Sequence, residues 1–591
     1  MLHVHSYMAG VIILLVFPAS TAKGLSQNPL PPPAGFQITG PDPWRFDEHP
    51  NANSTDNLIF SSVSSLLQTW GNTRYHNGPT IIPGTIPPGT LLYHGTHSPE
   101  PPPRGYPEWL AVDPEHSYIF CTSLRSPPNA SHPAPNAEPC WHLTFVTTRA
   151  IDILYFDGAS AGKMQGGSMD AQDIVLWGEV VDTPERRLDE RRRANELCQL
   201  WGKGGGEGGV DGFVRMELDF EVLLCDFTDG LELVTALNLE YSDFPDWPSS
   251  QNPLPTHSVA RYPDNALNGD GDLGPPPFIY WLPGIRGFLS GLRHAHFPGE
   301  MRIQLHYHRL ITFYDTTLFP SLRAVRQGKG RWEHRLKGIV KEDVERLHTR
   351  LSTVIGMKGA VREESWESSG VDWRTTLRVL QVRWEDGLEV LRHMLDSAAE
   401  GGHRANSTER ESQMARRAHG YVEGLLKPYT LNGTRPDAPY DTLHEPGDRH
   451  AWAKPIFRLC ATIHTLYLTK LDLTPSEALL VHSLRGVERQ ICRVLVGIWA
   501  SGVENGLGVE VDLHKGHFRC FTKVIERWRS DLKVLMDWLD WSVWVKCVPP
   551  CHFDEICYLP TWVFFPADND NNGGWLTRPE PKCWTRVHPL R

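Results

Sequence analysis

Polar side chains that could act on a substrate are concentrated in the stretch 90–121. An apolar strand leads into His94, Gly95 and Thr96. A second strand ends at an Asp-Pro pair, which is typical of a helix start, and this helix carries Tyr118. A histidine, a tyrosine and an acid from separate elements of one sheet can form a site in a cleft. Such a site needs an acid from a later strand.

The acid is expected from the stretch 212–227, which we predict to be one long strand. Glu217, Asp219 and Glu221 recur in it at steps of two and would therefore share one face. Any strand with one buried face shows a similar alternation of polar and apolar residues. The pattern is thus compatible with a site and equally with an ordinary strand.

The sequence around His94 resembles the ADP-ribosyltransferase superfamily, in the branch with a His-Tyr-acid motif. The run Leu-Tyr-His-Gly-Thr is similar to the first strand signature of that family, and 109–118 is similar to its next strand and helix. The run that begins at Glu221 is similar to its late strand. The resemblance covers 88–230 and implies NAD as the bound cofactor or substrate, with Gly95 and Thr96 beside it.

The same resemblance implies a role for each polar side chain. His94 would hold the adenosine-side ribose, and Tyr118 would stack on the nicotinamide. Glu221 would orient ribose hydroxyls and stabilise an oxocarbenium-like transition state by its charge, with Glu217 as the alternative acid. The implied activity is ADP-ribosyl transfer or NAD hydrolysis.

The chain as a whole resembles uncharacterised secreted fungal proteins, a likeness that implies no activity. The alternative function is that of a non-catalytic extracellular interaction protein. Its binding surface would then be the Trp-rich helical part and the tail. No hydrolase motif or metal-ligand motif favours a third class.

Composition limits the classes of protein that fit. At 591 residues the chain is too long for one ordinary core, so two or three domains are expected. The formal net charge of -12 provides no basic excess to neutralise phosphates. A nucleic-acid-binding surface is therefore not expected.

The N-terminus has the features of a secretory signal peptide, predicted for 1–22. A short apolar run is followed by small residues that suit cleavage after Ala22. The segment before the run contains no Lys or Arg, which leaves an uncleaved signal anchor as the alternative. No later segment is apolar over the roughly 18 residues that a membrane span needs. We expect a secreted protein, or one retained in the secretory pathway.

Asparagine sequons agree with that route. Each lies in loop-like sequence and matches the N-glycosylation acceptor pattern. They are Asn53, Asn129, Asn406 and Asn432.

Changes in periodicity divide the chain. Short β-type runs separated by turn clusters predict an α+β domain over 57–240, with a twisted, mainly antiparallel sheet and helices. A helical period predicts a mostly α-helical domain over 286–545. A flexible lead-in, 23–56, precedes the first domain, and a Pro-rich linker, 241–285, separates the two. A tail rich in Cys and Trp, 546–591, ends the chain.

Several individual elements are predicted within these parts. Helices are expected at 57–70 and 184–201, and a β-type run at 174–177. Thr474 begins a capping box that opens a helix, and 397–448 reads as a long polar surface loop. Apolar residues at steps of three and four also predict helices around 344–354, 373–395 and 521–539.

The 11 cysteines form an odd number, so at least one is expected to be free or paired between chains in an oxidising compartment. Cys121 and Cys140 bracket a Pro-rich loop and are candidates for a pair. Cys460 and Cys492 lie in predicted helices and read as buried thiols. The tail is too small to fold by apolar burial, so disulfides are expected there. The tail candidates are Cys547, Cys551, Cys557 and Cys583.

Metal ligands are not expected from the sequence. The tail cysteines lack the regular spacing of zinc sites, and disulfides are favoured in an oxidising compartment. The pairs at 294–296 and 306–308 place two histidines at i and i+2. On a helix such residues do not share a face, so we expect surface or interhelical histidines. Asp568 begins only the first half of a calcium loop.

Overall fold

The computed structural model describes most of the chain, with gaps. Tyr118, Asn129 and Asn406 lie outside the described residues, as do the predicted signal peptide and most of the predicted linker. The described residues are 44–51, 53–117, 120–121, 139–163, 166–205, 208–239, 282–357, 366–399, 407–434, 436, 450–507, 521–559 and 580–585.

A ten-stranded mixed sheet forms the centre of the N-terminal half. Its strands are β1 (Thr80–Ile86), β2 (Leu91–Thr96), β3 (Glu108–Ala111), β4 (Cys140–Thr147), β5 (Ile151–Phe156), β6 (Gly212–Met216), β7 (Phe220–Leu224), β8 (Leu231–Leu239), β9 (Gln304–Leu305) and β10 (Ile311–Thr312). Their order across the sheet is β10-β1-β5-β6-β7-β3-β2-β4-β8, and β9 also pairs with β1. Within the described chain β5 and β6 are the one parallel pair, so the sheet is mainly antiparallel.

Helices cover both faces of the sheet and make up most of the C-terminal half. They are α1 (Asp56–Ser64), α2 (Thr69–Arg74), α3 (Pro114–Ser117), α4 (Asp170–Trp177), α5 (Pro184–Leu188), α6 (Glu190–Trp201), α7 (Leu282–Arg293), α8 (Ser321–Arg326), α9 (Lys341–Val354), α10 (Trp373–Ala399), α11 (Ser407–Leu426), α12 (Lys454–Thr462), α13 (Pro475–Glu504) and α14 (Thr522–Leu539). None of these helices is both long and apolar enough to cross a membrane.

One face of the sheet, called here the first face, joins the helical half in a continuous core. Ile82, Leu110 and Val222 point to this face and belong to the same buried cluster as Trp384 of α10 and Leu484 of α13. Alternate residues of a strand point to opposite faces. The side chains next to these in sequence therefore line the other side of the sheet.

The other face, called here the second face, packs against a smaller set of helices. Leu154, Phe213 and Leu223 contact a buried cluster that includes Leu197 of α6 and Leu347 of α9. The α9 helix was predicted as part of the helical domain, and here it covers the sheet. The two strands β9 and β10 also come from that later part of the sequence and pair with β1.

Two predicted helices are each divided into two. The helix predicted over 57–70 is α1 followed by α2, and Leu67 between them has a φ of 59°, which a helix cannot contain. The helix predicted over 184–201 is α5 followed by α6. There the side chain of Asp189 accepts a hydrogen bond from the Arg192 backbone N–H and begins the second helix.

The strand predicted over 212–227 is wrong as one element. It is a hairpin in which β6 and β7 pair, with Arg215 opposite Glu221. Glu217 and Asp219 lie in the turn, so the three acids do not share a strand face. The run 174–177 is also not a strand, because it ends the helix α4.

Predictions for the helical half are mostly confirmed. The helices around 344–354, 373–395 and 521–539 are α9, α10 and α14. The capping box of α13 is formed, with Thr474 Oγ1 accepting from the Glu477 N–H and Glu477 Oε2 accepting from the Thr474 N–H.

The long loop predicted over 397–448 is wrong for its central part, which forms α11. The buried stripe of this helix contains Ala415 and Ala418 together with Val422 and Leu426. Alanine adds little hydrophobicity to a sequence pattern although it is a strong helix former. The stripe was therefore not recognised.

Disulfides link ten cysteines. The predicted pair Cys121–Cys140 is confirmed, and the four tail cysteines pair as 547–557 and 551–583. The interpretation of Cys460 and Cys492 as buried thiols is wrong, since they form a disulfide between α12 and α13. A further bridge joins Cys198 to Cys225. The remaining cysteine, at 520, lies outside the described residues.

The tail forms a small hairpin of β11 (Glu555–Tyr558) and β12 (Lys582–Thr585). It packs on α7, where Phe288 joins Tyr558 and Trp584 in a buried cluster. Cys551–Cys583 links the hairpin to the chain that precedes it. The tail thus packs against α7 next to Leu218, which lies in the turn between β6 and β7.

Candidate functional site

The three strands that carry the resemblance are neighbours in the sheet. Tyr93 of β2 lies opposite Ala111 of β3, and Ala111 lies opposite Glu221 of β7. Directly opposed residues of an antiparallel pair point to the same face. Tyr93 and Glu221 therefore share the second face, with the small side chain of Ala111 between them.

His94 points to the first face because it alternates with Tyr93. Its ring makes an edge contact with Phe227, with ring centroids 5.8 Å apart. Its Nδ1 lies 2.8 Å from the carbonyl oxygen of Trp109, so the neutral ring donates from Nδ1 and keeps Nε2 as an acceptor. Burial lowers the pKa of His94 below its usual value, an effect that outweighs the carboxylate of Glu108. The histidine is therefore neutral near pH 7.

Gly95 and Thr96 follow at the end of β2. Gly95 is buried and lies opposite His142 of β4, and Thr96 lies opposite Trp141. The position of Gly95 alternates with that of His94, so Gly95 belongs to the second face. Tyr118 comes directly after α3 but lies outside the described residues.

Glu221 is a buried, ion-paired acid. Its Oε1 lies 2.6 Å from Nη2 of Arg215, which also lies 2.7 Å from Oε2 of Glu190 at the start of α6. The side chain of Arg215 is only 2% exposed, and its Nη1 donates to Gln172. Burial alone would raise the pKa of Glu190, but Arg215 and the neighbouring cations Lys163 and Arg193 lower it below its usual value.

The alternative acid, Glu217, lies in the turn between β6 and β7. Its Oε2 is 3.3 Å from Nζ of Lys163. It also lines a pocket together with Trp70, Phe288 and Tyr558. Glu217 therefore faces the α7–tail side of the molecule rather than the row of Tyr93 and Glu221.

The start of α6 covers the second face near these residues. Arg191 lies over the rings of Tyr106 and Trp109, at 4.5 and 4.7 Å from their centroids. It also forms an ion pair with Glu108 at 2.8 Å. The structure thus places Gly95 and Glu221 on one face of the sheet, with the start of α6 next to Glu221, and it places His94 on the other face.

A second group of charged residues lies where β3 ends and β7 begins, at the end of these strands that faces α7. We call it the His294 cluster, and it contains Asp113, Asp219, His294, Glu300 and Arg302. Asp113 follows β3 and Asp219 precedes β7. The Val112 N–H donates to the Phe220 carbonyl, which brings the two acids side by side.

His294 is positioned by the C-terminus of α7. Gly291 of α7 lies directly over the hairpin turn, because a Cβ at this position would be 2.0 Å from the Leu218 carbonyl oxygen. The start of α2 fixes the next turn, since the Thr69 N–H donates to the carbonyl of His294 and the Trp70 N–H to that of Ala295. The imidazole is thereby directed at the two aspartates.

Three carboxylates surround Nε2 of His294. It lies 2.8 Å from Asp113 Oδ2, 3.4 Å from Glu300 Oε2 and 4.0 Å from Asp219 Oδ1. Arg302 forms ion pairs with Glu300 at 2.5 Å and with Asp113 at 3.2 Å. Asp219 and Glu300 are fully buried. The arrangement is a compact acid–imidazole centre that water does not reach freely.

The titration of the two aspartates differs. Burial opposes ionisation of both, but hydrogen bonds from His294 and Arg302 lower the pKa of Asp113 well below its usual value. Burial raises the pKa of Asp219 to about 6, because its cationic neighbours compensate less. Burial also disfavours the charged form of His294, yet the hydrogen bond to Asp113 and the nearby carboxylates raise its pKa.

Sequence reasoning did not identify this cluster. Asp113 was interpreted as a helix cap, Asp219 as part of a strand alternation, and His294 as a surface or interhelical histidine. The three residues are separated by 106 and 75 positions, so no local spacing connects them. The available sequence signal for this cluster was that each of its charged residues adjoins an apolar strand or helix.

Two of the predicted glycosylation sites can be located. Asn53 and Asn432 are both exposed, and Asn53 Oδ1 accepts a hydrogen bond from Arg323. Both side chains therefore lie on the surface of the described structure.

The chain is similar to proteins of a yeast. A protein-family model described as the YPL277C N-terminal domain matches residues 48–140 and 126–252. The chain is 24% identical over 579 residues to the uncharacterized protein YOR389W of Saccharomyces cerevisiae, covering 86% of this chain and 82% of that protein.

It is also 29% identical over 350 residues to the uncharacterized protein YPL277C of the same yeast, covering 50% of this chain and 68% of that protein. No solved structure matches the chain. The resemblance to uncharacterised fungal proteins therefore extends over most of the sequence.

Proposed function

We propose that the sheet half of this protein binds NAD and transfers or hydrolyses its ADP-ribosyl group. The reacting part of the dinucleotide would lie on the second face, over β2, β3 and β7. The observation that carries the proposal is the placement of Glu221, two strands from Gly95 and on the same face. Breaking the bond to nicotinamide leaves positive charge on the ribose ring, and a fixed carboxylate stabilises that charge.

The ion pair with Arg215 supports this role for Glu221. A carboxylate that is already held in place loses no freedom when charge develops beside it. Arg215 also binds Glu190, so its single positive charge is shared by two carboxylates.

Access to Glu221 requires the start of α6 to move. Glu190 and Arg191 lie over the second face, and Glu221 itself is only 5% exposed. His94, on the first face, is assigned no contact with the reacting bond. The proposed role of His94 is limited to the adenosine-side ribose of NAD, which would reach the first face by passing around the end of β2.

The test is NAD consumption by the purified mature chain, followed by separation of nicotinamide and ADP-ribose. Glu221→Gln keeps the shape of the side chain and removes the charge, so we expect a loss of at least about 100-fold in kcat/KM. Glu190→Gln is the matched control, because it removes the other carboxylate on Arg215. We expect it to retain activity or to increase it by loosening the cover.

His94→Ala separates the two parts of the proposal. A rise in KM with little change in kcat would agree with a ribose contact. Equal rates for wild type, Glu221→Gln and Glu190→Gln would refute the role of Glu221. No binding and no turnover of NAD by the wild type would refute the proposed function.

We further propose that the protein is made in the secretory pathway, is cleaved after Ala22 and is glycosylated. Five disulfides support an oxidising compartment, and the exposure of Asn53 and Asn432 supports glycosylation at these sequons. Mass spectrometry of the secreted protein, before and after glycosidase treatment, tests all three points. An unglycosylated chain that still begins at Met1 would contradict them.

A second candidate function, binding to an extracellular partner without catalysis, is favoured by β8. This strand is at the end of the described sheet, and it exposes Leu233, Val234 and Leu237 by 38 to 53%. Exposed strand edges recruit further strands. Val234→Lys places a charge on this exposed strand. Loss of partner binding by this variant, together with no effect of NAD on binding by the wild type, would favour this function.

A further inference from the structure

The His294 cluster has an excess of buried negative charge. Asp113, Asp219 and Glu300 are acids, and Arg302 is the one permanent cation among the five residues. The neighbouring Glu115 and Arg293 form an ion pair with each other at 2.7 Å, so they do not change the net charge of the cluster. The centre carries two uncompensated negative charges with a neutral His294 and one with a protonated His294, and either excess is costly inside a protein.

Two buried polar atoms at the cluster have no hydrogen-bond partner among the described residues. Oδ2 of Asp219 is one, although its residue is 0% exposed. Nδ1 of His116 is the other, on a side chain that is 1% exposed and that interacts electrostatically with Asp219. Buried polar atoms are nearly always satisfied, so both atoms indicate a missing partner at this place.

The donor atoms lie close to the spacing of a coordination shell. One donor atom each from Asp113, Asp219 and His294 can be chosen so that all lie within 4.8 Å of one another. Ligand atoms around an ion with bonds of about 2.0 to 2.2 Å are roughly 3 to 4 Å apart. Glu300 Oε2, at 3.4 Å from Nε2 of His294, stands at the same separation as a fourth ligand would.

We propose that Asp113, Asp219 and His294 bind one divalent transition-metal ion, with Glu300 as an adjacent carboxylate ligand. One imidazole and several carboxylates form a ligand set that suits Zn²⁺ or Mn²⁺. Two positive charges would cancel the excess negative charge of the centre. The open carboxylate oxygen of Asp219 would gain its partner.

The ion would connect three distant parts of the chain. Asp113 begins α3, Asp219 belongs to the hairpin turn, and His294 follows α7. Binding would therefore fix the C-terminus of α7 to the edge of the sheet. The proposal is independent of NAD chemistry, since it concerns the attachment of α7 and not the row of Glu221.

The test is a titration of the EDTA-treated, full-length mature protein with ZnCl2 and, separately, MnCl2, by calorimetry and thermal unfolding. We expect one equivalent of at least one of these ions to bind, and the unfolding temperature to rise by several degrees because the ion binds only the folded state. If neither ion binds nor raises the unfolding temperature, the proposal is wrong. This result requires no variant.

Variants assign the site. His294→Gln and Asp219→Asn are each expected to weaken binding by at least about 100-fold, since losing a supporting residue alone costs 10- to 100-fold. Glu115→Gln is the matched control, a nearby carboxylate that is not a proposed ligand, and should bind as the wild type does. Far-UV circular dichroism before titration confirms that each variant is folded. Unchanged affinity in folded His294→Gln would overturn the assignment.

Discussion

Replacement of Arg215 by methionine should strongly destabilise the protein. The substitution keeps most of the apolar stem and removes the guanidinium that binds Glu221 at 2.6 Å and Glu190 at 2.7 Å. Both carboxylates would then lose the cation that they contact directly. Breaking a buried ion pair by removing one partner costs about 3–5 kcal/mol. We expect a loss of this size in the free energy of unfolding, or roughly 10 °C in unfolding temperature.

The pH dependence gives this prediction a second measurement. The folded-state pKa of Glu190 is lowered, with Arg215 as the largest favourable cause. Such a group stabilises the protein above its unfolded pKa of about 4.3 and loses that effect as the pH falls through the folded pKa. Arg215→Met lacks this stabilisation. The difference between variant and wild type should therefore shrink below about pH 4.

Thermal unfolding followed by circular dichroism at a series of pH values is the assay. Arg192→Met on α6, the helix that carries Glu190, is the control, because Arg192 forms an exposed pair with Glu196. It should change stability by no more than about 0.5 kcal/mol. An Arg215→Met variant as stable as this control would refute the buried ion pair. It would also remove the argument that Glu221 is held in place.

Three further outcomes are expected. A Cys460→Ala/Cys492→Ala double variant should lose about 2–4 kcal/mol of unfolding free energy, and alkylation of the unreduced wild type should leave both cysteines unmodified. Burial raises the pKa of Asp157 to about 7, so the wild type loses stability as the pH rises from about 4 through 7 and this carboxyl group ionises. Asp157→Asn should therefore have a free energy of unfolding about 1–3 kcal/mol higher than the wild type between about pH 5 and pH 8. Parallel curves of unfolding free energy against pH for the two proteins would contradict this prediction. Thr474→Ala removes the cap of α13 and should cost about 1 kcal/mol in thermal unfolding, whereas no change would show that the capping box contributes nothing.

The general architecture was predictable because local patterns agree with it. The strands around His94 and the long helices such as α10 have a clear hydrophobic periodicity, and Thr474 begins its helix with a capping box. Strand β1 was missed because its centre is Pro83-Gly84, a pair that usually marks a turn. Here the proline carbonyl accepts a hydrogen bond from the His306 N–H, so strand pairing with a distant segment overrides the local signal.

The candidate sites could be predicted only in part. The sequence indicated Gly95 and Glu221 as site residues. The prediction of a single strand over 212–227 did not include the turn, which places Glu217 and Asp219 outside the strand that carries Glu221. A hairpin brings Arg215 opposite Glu221, and no spacing rule in one sequence announces which arginine will pair with which acid. The His294 cluster was invisible for the same reason, since its members meet only through tertiary structure.

A crystal structure of the protein with a non-hydrolysable NAD analogue would test the central claim most directly. The proposed function predicts the nicotinamide end over the second face, within hydrogen-bond distance of the Gly95 backbone. It also predicts the adjoining ribose beside Glu221 and a displaced start of α6. An analogue bound elsewhere, or absent at saturating concentration, would contradict the proposal that this sheet is an ADP-ribosyl-transferring site.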